Sequence, residues 1–254
     1  MCSLSLTKRI FTLHQVLFTH YVKNSIQVFF CMKFMLKSFF MRILFLFAVL
    51  LISNIGCTQN SNKTKTQDKI HIGGSCEGCE AIHESPVPFD SLKELCWLPD
   101  WNDKGKKLVI NGVVYKADGT PAPNIIIYVY HTDQTGVYPR KGDEKGWAKR
   151  HGYIRGWMRT NEKGEYKFFT LRPAAYPGRQ NPEHIHVTIK EPDKNEYWID
   201  EYLFDDDPIL TDKERKNCQD RGGSGIIKVK DVGNMLKAER NIYLGKNIPD
   251  YPKN

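Results

Sequence analysis

Two absences divide this chain of 254 residues. Residues 1–56 hold six basic residues and no acidic one, and Thr58 to Lys69 contains no apolar residue. The first absence empties the formal charge of +8 of meaning as a clue to partners. Without those six residues the remainder carries +2, which leaves no electrostatic footprint for nucleic acid or an anionic membrane face. The second excludes a packed core over that stretch, since nothing there can be buried to offset the entropy of ordering. Residues 57–70 therefore read as a disordered tether. An internal repeat and a helical heptad pattern are missing too. The apolar run Ile43 to Ile52 is far shorter than the roughly 20 residues a spanning helix needs.

That run has another use. Preceded by Met41-Arg42 and followed by Ser53-Asn54-Ile55-Gly56-Cys57, it matches a secretory signal, whose apolar core is roughly 7–15 residues. Residues 1–56 are thus expected to be a targeting segment. Because Met32, Met35 and Met41 are all usable starts, residues 1–40 read as translation from an early start codon. Gly56-Cys57 resembles the lipobox of bacterial lipoproteins, with Asn54 where leucine is usual. It implies an exported chain held to a bacterial membrane through a lipid on Cys57 and by no other contact. Periplasm or cell surface is the expected location, with plain secretion second. Export agrees with the cysteines of the remainder, Cys76, Cys79, Cys96 and Cys218, from which two disulfides of open connectivity are expected. Cys76-Glu77-Gly78-Cys79 lacks the βαβ surroundings of a redox motif and the second close pair of a zinc site.

The expected domain runs over 71–254. Strand signals, rich in β-branched and aromatic residues, fall at Leu108–Tyr115, Asn124–Thr132, Tyr153–Thr160, Glu165–Leu171, His184–Lys190, Tyr197–Leu203, Ile226–Val229 and Asn241–Leu244. Gly and Pro punctuation and the near absence of helical periodicity predict an all-β sandwich. Two helical excursions are expected, a turn over Lys93–Leu98 and a short helix capped near Thr211.

The chemistry gathers at His184-Ile185-His186. Residues two apart on a strand share a face, so both imidazoles project together. Tyr176 lies eight residues upstream in a loop bounded by Pro173 and Pro177, and Tyr138 leaves the second strand through the polar turn Thr132 to Gly136. Together they make a candidate set of two phenols and two imidazoles. A pair of histidines buried without a partner costs several kcal/mol, so an inward-facing pair implies a metal or an acid.

Beyond these spacings, the order Gly136-Val137-Tyr138, Arg155-Gly156, Thr160 to Phe168, Thr170 to Pro177, His184-Ile185-His186 and Glu201 to Pro208 resembles the intradiol ring-cleavage dioxygenases. The resemblance implies a prealbumin-like sandwich holding non-haem Fe(III) through Tyr138, Tyr176, His184 and His186. It implies an enzyme that inserts both atoms of O2 into a catechol-type ring and releases a cis,cis-muconate-type diacid. Tyr176 would leave the iron as substrate arrives and act as a base. Its partners would be a small aromatic diol and O2. Asn181 stands where the family places an arginine before the first histidine. Arg179 is the candidate replacement, with Arg155 behind it. The helical dimerisation region of the catechol 1,2-dioxygenases is absent, as in the small secreted branch of the family. The alternative is a prealbumin-like surface module that binds without turnover. A metal-binding hydrolase or lyase is disfavoured, since no Asp or Glu sits at ligand spacing near His184.

Overall fold

The computed structural model of the chain describes residues 71–253. The targeting segment 1–56, the tether 57–70 and Cys57 lie outside them. In chain order the strands are β1 (Leu95–Trp97), β2 (Lys107–Tyr115), β3 (Ile126–Tyr130), β4 (Arg155–Arg159), β5 (Glu165–Leu171) and β6 (His184–Lys190). β7 (Glu196–Phe204), β8 (Ile226–Ile227), β9 (Lys230–Asp231), β10 (Met235–Glu239) and β11 (Ile242–Tyr243) follow. Two short helices interrupt them, α1 (Ala148–His151) and α2 (Asp212–Asn217).

The strands form a β-sandwich. One sheet has the order β1-β5-β2-β10-β9, with β11 also pairing β2, and the other is β4-β3-β6-β7-β8. The core between them follows period-2 alternation. Leu108 and Ile110 from β2 and Tyr166 and Phe168 from β5 meet Ile127, Val129, Ile185, Val187, Ile189, Tyr202 and Phe204 from the other sheet. Odd-numbered residues of β6 thus face inward, which puts His184 and His186 on the outer face. Part of that face is covered. Ala81 and Ile82, in a 3₁₀ turn over Cys79–Glu84, pack on Ile126 and Tyr128 together with Trp147 and Trp157. The Trp157 indole N–H donates to the Ile82 carbonyl at 2.9 Å.

Three expectations need correction. Lys93–Leu98 is not a helical turn. Its centre is β1, an edge strand parallel to β5, because the Trp97 ring stacks on Phe169 at 3.7 Å. The strands β9 and β10 were not foreseen, since their Lys, Asp and Glu residues mask the alternation. Of the two expected disulfides one is present, Cys76–Cys79, while Cys96 and Cys218 are free thiols. Cys96 packs on the core from the first sheet; Cys218 caps the C-terminal end of α2, its thiol donating to the Glu214 carbonyl at 3.5 Å. The helix at Thr211 does form. The Thr211 hydroxyl accepts the Glu214 N–H at 3.3 Å, an N-cap bond.

Candidate metal centre

Two loops carry the tyrosines, and the backbone laces them together. The Asp133 carboxylate accepts the Thr135 N–H at 2.8 Å and the Thr135 hydroxyl at 2.6 Å, closing a turn that Asp133 N–H to Val137 carbonyl completes at 2.8 Å. The second loop docks on this turn. Thr132 donates its hydroxyl to the Ala174 carbonyl at 2.7 Å, and Ala174 N–H donates to Asp133 at 3.1 Å. Gly136, at φ +77°, sits so close that a Cβ there would lie 2.0 Å from the Ala175 carbonyl oxygen. Only glycine permits that approach and that φ, and the approach delivers Tyr138 beside Tyr176.

Four donor atoms converge as a result. Tyr138 Oη is 2.5 Å from Tyr176 Oη and 2.7 Å from His186 Nε2. Tyr176 Oη is 3.1 Å from His184 Nε2 and 3.4 Å from His186 Nε2. The imidazole rings stand nearly perpendicular, with centroids 4.7 Å apart. His184 is buried, while Tyr138, Tyr176 and His186 are half-buried, so the cluster opens at the rim of the sheet.

Both histidines are held from behind. His184 Nδ1–H donates to the Pro182 carbonyl at 2.7 Å, and His186 Nδ1–H donates to the Glu201 carboxylate at 2.7 Å. These bonds fix the tautomers and turn both Nε2 lone pairs toward the phenols, the usual support of metal-binding imidazoles. The cluster therefore has four close contacts and two phenol protons to fill them. A cation that displaces those protons satisfies every lone pair at once. Bond lengths of about 2.0–2.2 Å to a first-row ion put neighbouring donors roughly 3 Å apart, the separation seen here. The donor set fits a hard, highly charged ion.

Glu201 is the residue that sequence reasoning missed. His184, His186 and Glu201 offer ligand atoms within 4.8 Å of one another. Yet Glu201 takes Nδ1 of His186, across the ring from the Nε2 that faces the tyrosines, so it orients that imidazole and cannot share its ion. A β-bulge brings it there. β6 and β7 pair Ile185 with Tyr202 and Val187 with Ile199, so two residues, Asp200 and Glu201, oppose His186. Without the bulge Glu201 would face the core with Ile199. The signal was legible in β7 as a break in alternation, with Tyr197 and Ile199 buried, then Tyr202 and Phe204.

The electrostatics follow from burial. Burial and the bond to Tyr176 push the Tyr138 phenol far above its ordinary range, and burial also raises Tyr176. Burial and the neighbouring His186 lower His184. For Glu201, burial works upward, but the hydrogen-bonded contact with His186 outweighs it and holds the carboxyl at about 2. The loop ahead of β6 is pinned by Arg172, whose Nε donates to Glu183 at 2.6 Å and Nη1 to Asp206 at 2.8 Å. Asp207 accepts the Glu183 N–H at 2.6 Å.

The two candidate arginines part ways. Arg179 is exposed, and its guanidinium lies 5.8 Å from the centre of the Tyr176 ring. Arg155 is mostly buried and ion-paired with Glu84 at 2.7 Å, its guanidinium over Trp157. On the far side of His186 an aromatic stack continues. Tyr130 lies 4.4 Å from His186 and 3.7 Å from His151, and His151 Nδ1 accepts the Tyr128 hydroxyl at 2.9 Å.

Comparison with known proteins gives this arrangement its family. The family model described as dioxygenase (Dioxygenase_C) matches residues 83–236, more than half of the chain. The chain belongs to the intradiol ring-cleavage dioxygenase family. It is 27% identical over 112 residues to the protocatechuate 3,4-dioxygenase beta chain of Burkholderia cepacia, covering 42% of this chain and 48% of that one. It is 28% identical over 104 residues to the catechol 1,2-dioxygenase of Acinetobacter baylyi, covering 34% and 32%. The chain thus spans a third to a half of these relatives. Among solved structures, the mercury-inhibited catechol 1,2-dioxygenase of Acinetobacter sp. ADP1 aligns with a TM-score of 0.46 at 19% identity, over 59% of this chain and 56% of that one.

Proposed function

We propose that this chain is a non-haem Fe(III) dioxygenase that opens a catechol-type ring between its two hydroxylated carbons. The observation that carries the reading is the convergence of Tyr138, Tyr176, His184 and His186 within 2.5–3.4 Å on one face of a sheet. Ferric iron held by these four residues would supply a Lewis acid that acidifies the bound diol and makes its ring attackable by O2.

The chain supplies the rest. Tyr176, in a short loop at the rim, is the residue that would take a proton from the incoming diol. Tyr138 is tied closer, between Tyr176 and His186, and stays in place. Glu201 and the Pro182 carbonyl keep both imidazoles aimed. Arg179, beside the Tyr176 ring, stabilises the negative charge that builds on the substrate oxygen. Both oxygen atoms of O2 end in the diacid, and the four electrons that reduce them come from the two ring carbons whose bond is cleaved, so no external reductant is needed.

Export and a lipid anchor at Cys57 belong to the same reading. The Cys76–Cys79 disulfide supports it, because such bonds persist in oxidising compartments. The test is oxygen uptake with iron-loaded protein. One O2 consumed per catechol, with a cis,cis-muconate-type diacid as product, is the expected result. Iron-loaded protein that binds catechols and consumes no O2 overturns the reading in favour of a binding module without turnover.

A further inference from the structure

Beside the candidate centre lies a cavity of about 500 Å³, whose wall includes His186. It sits over the outer face of β6 and β7, between the segment carrying the Cys76–Cys79 disulfide and α2. The volume suits a small aromatic ring with a side chain. Four acidic side chains line it, Glu77, Asp200, Glu201 and Glu214, and no lysine or arginine does.

Their partners differ. Glu201 is bound to His186 Nδ1, and Glu77 meets Arg150 at 2.5 Å where both are mostly exposed. Asp200 accepts the Asp220 N–H at 2.8 Å. Glu214, half-buried on α2, has no ion-pair partner among the described residues. Arg179 stands over Tyr176 and outside the cavity lining. A carboxylate entering this cavity would meet like charges, and the Arg150 guanidinium at its edge is already held by Glu77; a partly desolvated charge without a partner is costly. An ammonium group would meet the opposite, in a cleft where water screens the attraction less than in bulk.

We propose that this cavity is the side-chain pocket of the substrate site and selects catechols bearing a cationic side chain over those bearing a carboxylate. The assignment of the ring end rests on the dioxygenase reading. The charge preference rests on the cavity alone.

Two matched pairs of probes separate these. The first avoids iron: phenethylamine and phenylacetate are titrated calorimetrically against the metal-free full chain at low salt. Phenethylamine is expected to bind about 10-fold tighter or more, an advantage that shrinks at high ionic strength. Glu214→Gln, an isosteric change on a half-exposed helix, is expected to cut the ratio about threefold or more. Phenylacetate binding as tightly as the amine, or a ratio indifferent to Glu214→Gln, overturns the proposal.

The second pair is 3,4-dihydroxyphenethylamine and 3,4-dihydroxyphenylacetate with iron-loaded protein. The amine is expected to show the higher kcat/KM by about 10-fold or more. Ring opening of both at equal efficiency defeats the charge selectivity and leaves the dioxygenase reading intact. Amine-selective binding with neither ring opened does the reverse.

Discussion

Glu201 carries the most weight among single residues that are not donors in the cluster. Its carboxylate, 2.7 Å from His186 Nδ1, is what leaves Nε2 free to face the tyrosines. Glu201→Ala is expected to weaken iron affinity about 10–100-fold, the usual effect of deleting an imidazole's outer partner. Glu201→Gln, whose amide oxygen still accepts the N–H, should restore much of it. A competing chelator measures both, and equal affinity in wild type and Glu201→Ala contradicts the orienting role. Arg179 is tested by its kinetics. If it stabilises charge developing after the diol binds, Arg179→Ala lowers turnover roughly 10²–10³-fold and leaves catechol binding nearly unchanged. Unchanged turnover removes it from the mechanism. Arg155 is poorly placed to substitute, being held by Glu84.

At the scale of elements, the site depends on how β3, β6, β7 and α1 stack their side chains. His151, at the end of α1, lies flat on Tyr130, which lies on His186. A Cβ at Gly78 would come within 2.8 Å of the His151 ring, so the N-terminal segment closes over it through a glycine at φ +89°. Burial, then the neighbouring His186, Arg155 and Arg150, hold His151 at about 3. An unfolded histidine titrates near 6.5. Between those values the unfolded chain binds a proton that the native chain does not. Stability of the metal-free protein should therefore fall as pH drops from about 6.5 toward 3, by up to about 1.4 kcal/mol per pH unit from this group. Thermal melts of wild type and His151→Phe test it. The variant should show a shallower slope between pH 6 and 4, and identical slopes refute the assignment.

Much of this arrangement was legible beforehand, for physical reasons. Glu165–Leu171 and His184–Lys190 are strands over the very residues expected, because apolar alternation on a two-faced sheet leaves little choice of register. Tyr138 and Tyr176 were legible as candidates, since Gly136 and the bounding prolines mark where the chain must turn. Glu201 was passed over: the break in alternation after Ile199 marks a bulge, but which way the extra residue turns is set by the pairing of β7 with β6. β1 was hidden as well: a three-residue strand is defined by the Trp97–Phe169 stack rather than by its own pattern.

At the scale of the whole molecule, the proposed lipid anchor at Cys57 is tested by its removal. Cys57→Ser is expected to shift the protein from the detergent phase to the soluble fraction, or to stall it before processing. Wild-type protein found soluble with an N-terminus beyond residue 57 contradicts the anchor. The central claim, however, is the ferric centre. The measurement that tests it most directly is the visible spectrum of purified protein after ferric reconstitution, with its iron content. Two phenolate donors predict about one iron per chain and an intense red to burgundy charge-transfer band. That band should weaken in Tyr138→Phe and move to longer wavelength when a catechol is added without O2. Colourless protein that retains no iron would contradict the account.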